Sequence, residues 1–115
     1  MTYMQMVRKI NTAGAWFVGV FMEEFLLRYP EFQADSANRI AFIQYIHREY
    51  GVNLDYTYDT TKTKCYALMS IIESHQVPEA LEHIIQCNEQ RIGKEPIEAA
   101  MELADAIIHN KIQLP

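Results

Sequence analysis

The sequence predicts an all-α protein, a single-domain bundle of about five helices that covers residues 1–115. Three observations predict this fold class. Half of the 115 residues are hydrophobic and 22% are charged, which is typical of one folded globular domain. Apolar side chains recur at three- and four-residue steps along most of the chain, the period of an amphipathic helix. Helix-capping residues, prolines and glycines separate most of these periodic stretches.

The first predicted helix covers residues 3–28 and is the most apolar part of the chain. Because apolar residues also lie on its other sides, we expect it to be the central helix of the bundle. Gly14 and Gly19 allow either a kink or the close approach of a neighbour; the alternative is that a second helix starts at Asn11-Thr12. The helix is predicted to stop at Tyr29, because the following Pro30 disfavours helical geometry in the residue before it. Its main stripe consists of Met6, Ile10, Ala13, Phe17, Phe21 and Phe25.

A second helix is predicted over residues 36–50, opened by the capping residue Asp35. Its predicted inner stripe consists of Ile40, Ile43, Ile46 and Tyr50. After it, apolar and polar residues alternate, which predicts an extended connector near residues 52–58. Since no second strand pattern exists, we expect this connector to lie on the bundle as a loop.

The last three predicted helices cover residues 61–73, 78–92 and 96–108. Pro78 and Pro96 take the first position of their helices, where the missing N–H group costs nothing. Because the connection between the last two helices is only three residues long, we expect them to form an antiparallel pair. The inward side chains of the last helix are predicted to be Ile97, Ala100, Met101, Ala104 and Ile108.

Charge is unevenly distributed along the chain, whose formal net charge is −5. Residues 1–72 hold seven acidic and seven basic side chains, whereas residues 73–109 hold eight acidic side chains and two basic ones. On the last helix the acidic side chains form a row at four- and three-residue steps, the acidic stripe: Glu98, Glu102 and Asp105. This pattern is typical of a solvated face. It also suits a surface that binds a basic partner protein through electrostatic steering.

Two tyrosines of the connector are a second candidate binding surface. Tyr56 and Tyr58 carry large, rigid aromatic area of the kind found in binding hot spots. The flanking Asp55 and Asp59 repel phosphates, so a protein partner fits these side chains better than a nucleic acid does. The alternative is that the tyrosines pin the connector to the bundle.

The central region offers a different function. Helices 36–50 and 61–73 resemble the two helices of a helix-turn-helix DNA-binding motif in order, with helix 61–73 as the recognition helix. The connection between them is longer than the three or four residues that this motif uses. The candidate DNA-binding residues are Arg39, Arg48, Lys62, Lys64 and Tyr66.

Catalytic and metal-binding patterns are weak in this sequence. Glu79 with His83, and Asp105 with His109, have a four-residue spacing that suits a metal ligand pair, and such pairs are also common on solvated faces. No glycine-rich phosphate loop or metal-binding motif occurs. We therefore expect no catalytic residues, no metal and no cofactor.

The sequence leaves two functions open. The first is a non-enzymatic interaction protein that binds and modulates, most simply inhibits, another macromolecule. Bacterial or phage-encoded inhibitors, immunity proteins, antitoxins and counter-defence proteins share this size and charge. The alternative is a DNA-binding transcriptional regulator. We expect a cytoplasmic protein, because its two cysteines suit reduced thiols rather than a disulfide scaffold; a homodimer is possible, and no membrane contact is expected.

Overall fold

The computed structural model describes all 115 residues, and helices connected by turns make up the whole protein. The predicted all-α fold is confirmed. There are seven α-helices rather than about five, because two of the predicted helices are interrupted. The helices are α1 (Tyr3–Ala13), α2 (Ala15–Ala34), α3 (Ser36–Ile46), α4 (Tyr58–Glu73), α5 (Val77–Ile85), α6 (Glu89–Ile92) and α7 (Lys94–Ile108).

The first interruption separates α1 from α2 at Gly14. This glycine has a φ of 92°, a backbone conformation that residues with a side chain rarely adopt. Its N–H donates to the carbonyl oxygen of Ile10 at 2.7 Å and so closes the end of α1. The long helix predicted over residues 3–28 is therefore two helices that meet at a sharp turn.

The predicted end of this segment at Tyr29 is wrong, since α2 continues through Pro30 to Ala34. The reason is tertiary packing beyond the proline. Phe32 is buried, with its ring centroid 5.1 Å from that of Phe42 on α3. This aromatic contact stabilises the last turn of α2, although the proline cannot donate a backbone hydrogen bond.

The inner face of α3 differs from the predicted stripe. Ile43 and Ile46 are buried as expected, whereas Ile40 is 50% exposed and Tyr50 is 37% exposed. Phe42 takes the inward position, because it joins the aromatic cluster at the end of α2, and this rotates Ile40 toward solvent. A π-helical turn, His47–Gly51, extends α3.

The predicted extended connector does not form. After the π-helical turn the backbone closes further tight turns, with the Leu54 N–H donating to Tyr50 O at 3.1 Å and the Tyr56 N–H donating to Gly51 O at 2.9 Å. A lone strand has no partner for its backbone groups, so local turns satisfy them instead. Thr57 then caps α4 by accepting from the Thr60 N–H at 3.1 Å, so that α4 begins at Tyr58.

The second interruption falls between α5 and α6. Asn88 starts the short helix α6, because its side-chain oxygen accepts from the Gln90 N–H at 2.9 Å. In α7 the buried side chains are Pro96, Ala100 and Leu103. The predicted inward positions of Met101 and Ile108 are wrong, because these side chains are 54% and 76% exposed.

Helix α2 is the centre of the bundle, as the sequence predicts. It packs against α1, α3, α4, α5 and α7. Its contact with α7 is unusually close, because a Cβ placed on the buried Gly19 would lie 2.6 Å from Pro96 Cβ and 2.8 Å from Pro96 O. No helix of the protein is both long enough and apolar enough to cross a lipid bilayer.

The close contact between Gly19 and Pro96 can be tested, because it should reverse the usual effect of a Gly→Ala substitution on the free energy of unfolding. In a helix without this contact, Gly→Ala stabilises by about 0.5–1 kcal/mol. We expect Gly19→Ala instead to lower the free energy of unfolding by about 1–3 kcal/mol, because the added Cβ overlaps the backbone of Pro96 and must displace α7. Urea denaturation measures the difference. A more stable Gly19→Ala variant would contradict this packing.

Candidate functional site

The main candidate site is an apolar groove on the outer surface between α5 and α7, with a volume of about 260 Å³. The start of α5 lies beside the end of α7, as expected of an antiparallel pair. All but one of the residues that line the groove are apolar. The apolar groove is lined by Pro78, Leu81, Glu82, Ile85, Ala104, Ile107 and Ile108.

The groove exists because apolar residues occupy more of the circumference of α7 than the rest of the bundle covers. Ala100 and Leu103 face the core, and Ala104 and Ile107 occupy the adjoining arc beside α5. Beyond that contact, Met101 and Ile108 are left in solvent. This site is not among the sequence predictions, although the width of the apolar arc was the signal that could have revealed it.

Negative charge surrounds the groove. On α7 the acidic stripe adjoins the exposed apolar side chains, and Glu82 lines the groove on α5. Asp105 contacts His109, with 3.2 Å between Oδ1 and Nδ1. Six other carboxylates on α5, α6 and α7 are exposed and form no salt bridge: Glu79, Glu82, Glu89, Glu95, Glu98 and Glu102. The surface therefore combines exposed apolar area with uncompensated negative charge.

The connector tyrosines differ in burial and in the side chains that they contact. Tyr56 is half-buried against the core, and burial raises the pKa of its hydroxyl. The Lys64 Nζ lies 5.0 Å from the centroid of the Tyr56 ring. Tyr58 is 38% exposed and meets the His47 ring edge-on at 5.5 Å. Tyr56 thus holds the connector against the bundle, while Tyr58 remains accessible.

The two aspartates beside these tyrosines are both exposed but serve different elements. Asp55 lies in the turn before α4, with a φ of 59°. Asp59 lies in the first turn of α4. Of the four candidate side chains of the connector, Asp55, Tyr58 and Asp59 are exposed and Tyr56 is half-buried.

The candidate DNA-binding side chains are also dispersed. Arg39 pairs with Glu73 at 3.3 Å. Lys64 turns inward and donates to the Ala13 carbonyl oxygen at 2.8 Å, and burial lowers the pKa of its ammonium group. Arg48 is exposed beside Tyr45, with 6.0 Å between its guanidinium carbon and the ring centroid. Arg48 also pairs with Glu49 at 3.5 Å, so three of the five residues have partners within the fold.

The other two, Lys62 and Tyr66, line a shallow polar groove between α1 and α4, with a volume of about 390 Å³. Lys9 and Asp59 lie in the same groove, so its positive charge is partly compensated. Helix α4 buries seven of its sixteen side chains in the bundle, and most of its exposed side chains lie in its first half.

Neither acid–histidine pair gathers further ligands, and no three metal-ligating side chains converge anywhere in the protein. The Nδ1 of His83 lies 3.2 Å from the Tyr3 hydroxyl. The Nδ1 of His109 lies 2.8 Å from the Asp105 carbonyl oxygen, close enough to accept a hydrogen bond from the ring when that nitrogen is protonated. His83 therefore contacts a side chain of α1, and His109 contacts its own helix, α7.

Both cysteines are free thiols. Cys65 is fully buried, and burial raises its pKa to about 12, which keeps the thiol protonated and unreactive. Cys87 is half-buried near the end of α5, where its Sγ donates to the His83 carbonyl oxygen at 3.3 Å.

Comparison with known proteins found no match: no family model, curated protein or solved structure matches this chain.

The position of Lys64 can be tested against its neighbour Lys62, which is exposed on the same helix. Because Lys64 supplies a charged donor to the end of α1, we expect Lys64→Ala to lower the free energy of unfolding by about 1–2 kcal/mol. The matched Lys62→Ala variant should change it by less than about 0.5 kcal/mol. Chemical denaturation of both variants decides, and equal effects would contradict a capping role.

Proposed function

We propose that this protein is a non-enzymatic interaction protein, which binds a second protein with a basic surface through α5 and α7 and thereby inhibits it. The observation that carries this proposal is the apolar groove bordered by uncompensated carboxylates. Protein interfaces combine such a water-excluding apolar centre with a polar rim. The free thiols favour a cytoplasmic location.

Charge gives the surface its selectivity. Residues 73–109 carry eight acidic and two basic side chains, so the field over α5 and α7 is negative. Such a field accelerates association with a basic protein and repels acidic proteins and nucleic acid phosphates. The apolar groove supplies the contact area that slows dissociation once the partner has docked.

The alternative of a DNA-binding regulator has weaker support. Arg39 is paired with Glu73, and Lys64 is directed at the end of α1, so neither projects as a free phosphate contact. Tyr58 is only 38% exposed, and no apolar groove adjoins it and its neighbouring aspartates. We therefore place the partner on α5 and α7.

Charge reversal on α7 tests this proposal. Tagged wild-type protein and the Glu98→Lys, Glu102→Lys variant are expressed in the cells that encode the protein, and captured proteins are quantified. We expect the amount of captured basic partner to be at least about tenfold lower for the variant than for the wild-type protein, because the altered stripe repels that partner. Binding of the purified partner to wild-type protein should weaken as salt increases.

The matched control is Glu23→Lys, Glu31→Lys on α2, which makes the same change in net charge on another face. It should retain the partner. Undiminished capture of every partner by the α7 variant would show that the acidic stripe is not the binding surface.

A further inference from the structure

The dimensions of the apolar groove suit the side chains of one helix. Its lining on α5 runs from Pro78 to Ile85, which is seven steps along the helix and so about 10 Å at 1.5 Å per residue. Across the groove, Ala104 and Ile108 lie about one turn apart on α7. Two apolar side chains one helical turn apart on a partner are about 5–6 Å from each other and fit within this length.

The surrounding structure favours a helix over an extended peptide. The protein contains no strand, so it offers no sheet edge to which a peptide could add by main-chain hydrogen bonds. Proline-rich peptides bind grooves lined by aromatic rings, and no aromatic residue lines this groove. Two adjacent helices instead present ridges and grooves into which a third helix packs.

The charges at the margins define the polar flanks of that helix. Glu82 lines the groove on α5, and the acidic stripe runs beside it on α7. Lysine or arginine side chains that flank an apolar face would therefore reach carboxylates on either side. Their aliphatic stems would also cover the exposed Met101 and Ile108.

A second copy of the chain is a poor occupant of the groove. A two-fold symmetric dimer places the same patch of each copy against itself. Around this groove it would bring Glu82 and the acidic stripe of one copy against the same carboxylates of the other. Such like-charge contacts oppose the apolar attraction.

We propose that the partner is recognised through one amphipathic helix, whose apolar residues enter the groove between α5 and α7 and whose lysine or arginine residues lie along its acidic margins. This inference rests on the proposed function and adds the chemistry of the partner's binding element.

A synthetic helical peptide serves as the probe, with leucines one turn apart on one face, lysines on both flanks and a fluorescent label. Fluorescence anisotropy measures its affinity for the wild-type protein, for Ile108→Gln and for the matched control Ile40→Gln. Ile108 is 76% exposed at the groove and Ile40 is 50% exposed on α3, so both variants should remain folded. Circular dichroism of each variant checks this.

We expect the peptide to bind wild-type protein and Ile40→Gln equally, and Ile108→Gln about tenfold more weakly, because an apolar contact in the groove is lost. Two control peptides, one with glutamates in place of the lysines and one with a central proline that breaks the helix, should bind the wild-type protein at least about tenfold more weakly than the original peptide does. Equal binding of the three peptides, or equal affinity for Ile108→Gln and wild-type protein, would overturn the proposal. So would a wild-type dimer that Ile108→Gln converts to a monomer in sedimentation equilibrium, because a second copy would then occupy the groove.

Failure of this inference is distinguishable from failure of the proposed function. If Ile108→Gln captures the native partner as well as wild-type protein does, while Glu98→Lys, Glu102→Lys loses it, the helix in the groove is wrong and the acidic binding surface stands. If that charge reversal loses no partner, the proposed function itself is wrong.

Discussion

The contact between Pro96 and the backbone of α2 at Gly19 sets the position of α7, and the outer face of the protein depends on it. Only a residue without a Cβ lets α7 approach this closely, since an added Cβ would lie 2.8 Å from the Pro96 carbonyl oxygen. With Pro96 fixed on α2, Ala100 and Leu103 follow into the core at helical spacing. The rotation of α7 about its own axis is then settled, and so are the side chains that it presents to solvent.

Because of this rotation, apolar and acidic side chains lie next to each other on the exposed side of α7. Helix α7 buries one arc against α2 and covers a second with α5, so a third arc, with Met101 and Ile108, stays exposed. Exposed apolar area promotes non-specific association, and it marks an interaction site when polar residues border it. In the proposed function, the neighbouring acidic stripe restricts which proteins can approach. The core contacts and the proposed binding surface therefore lie on different arcs of the same helix.

The helical period of the apolar residues was enough to predict the fold class and the central position of α2, because burial of an apolar stripe is a local property of a helix. The ends of the elements depend on distant contacts. Helix α2 passes Pro30 because Phe32 packs on α3, and the end of α1 receives a hydrogen bond from Lys64, 51 residues along the chain from Ala13. The acidic stripe was visible in the sequence, but the apolar groove beside it was not. Periodicity predicts an inward position for Ile108, whereas the rotation of α7 that the Pro96 contact sets leaves this side chain 76% exposed.

Isoleucine methyl NMR tests the central claim, that the surface fixed by α7 binds a basic amphipathic helix. Isoleucines report on the groove, on the core and on a distant exposed surface: Ile85, Ile107 and Ile108 line the apolar groove, Ile43 and Ile72 lie in the core, and Ile40 is exposed on α3. On titration with the lysine-flanked helical peptide, the account requires chemical-shift changes at the three groove isoleucines and little change at the other three. Shifts centred on Ile40, or the same small change at all six, would contradict it.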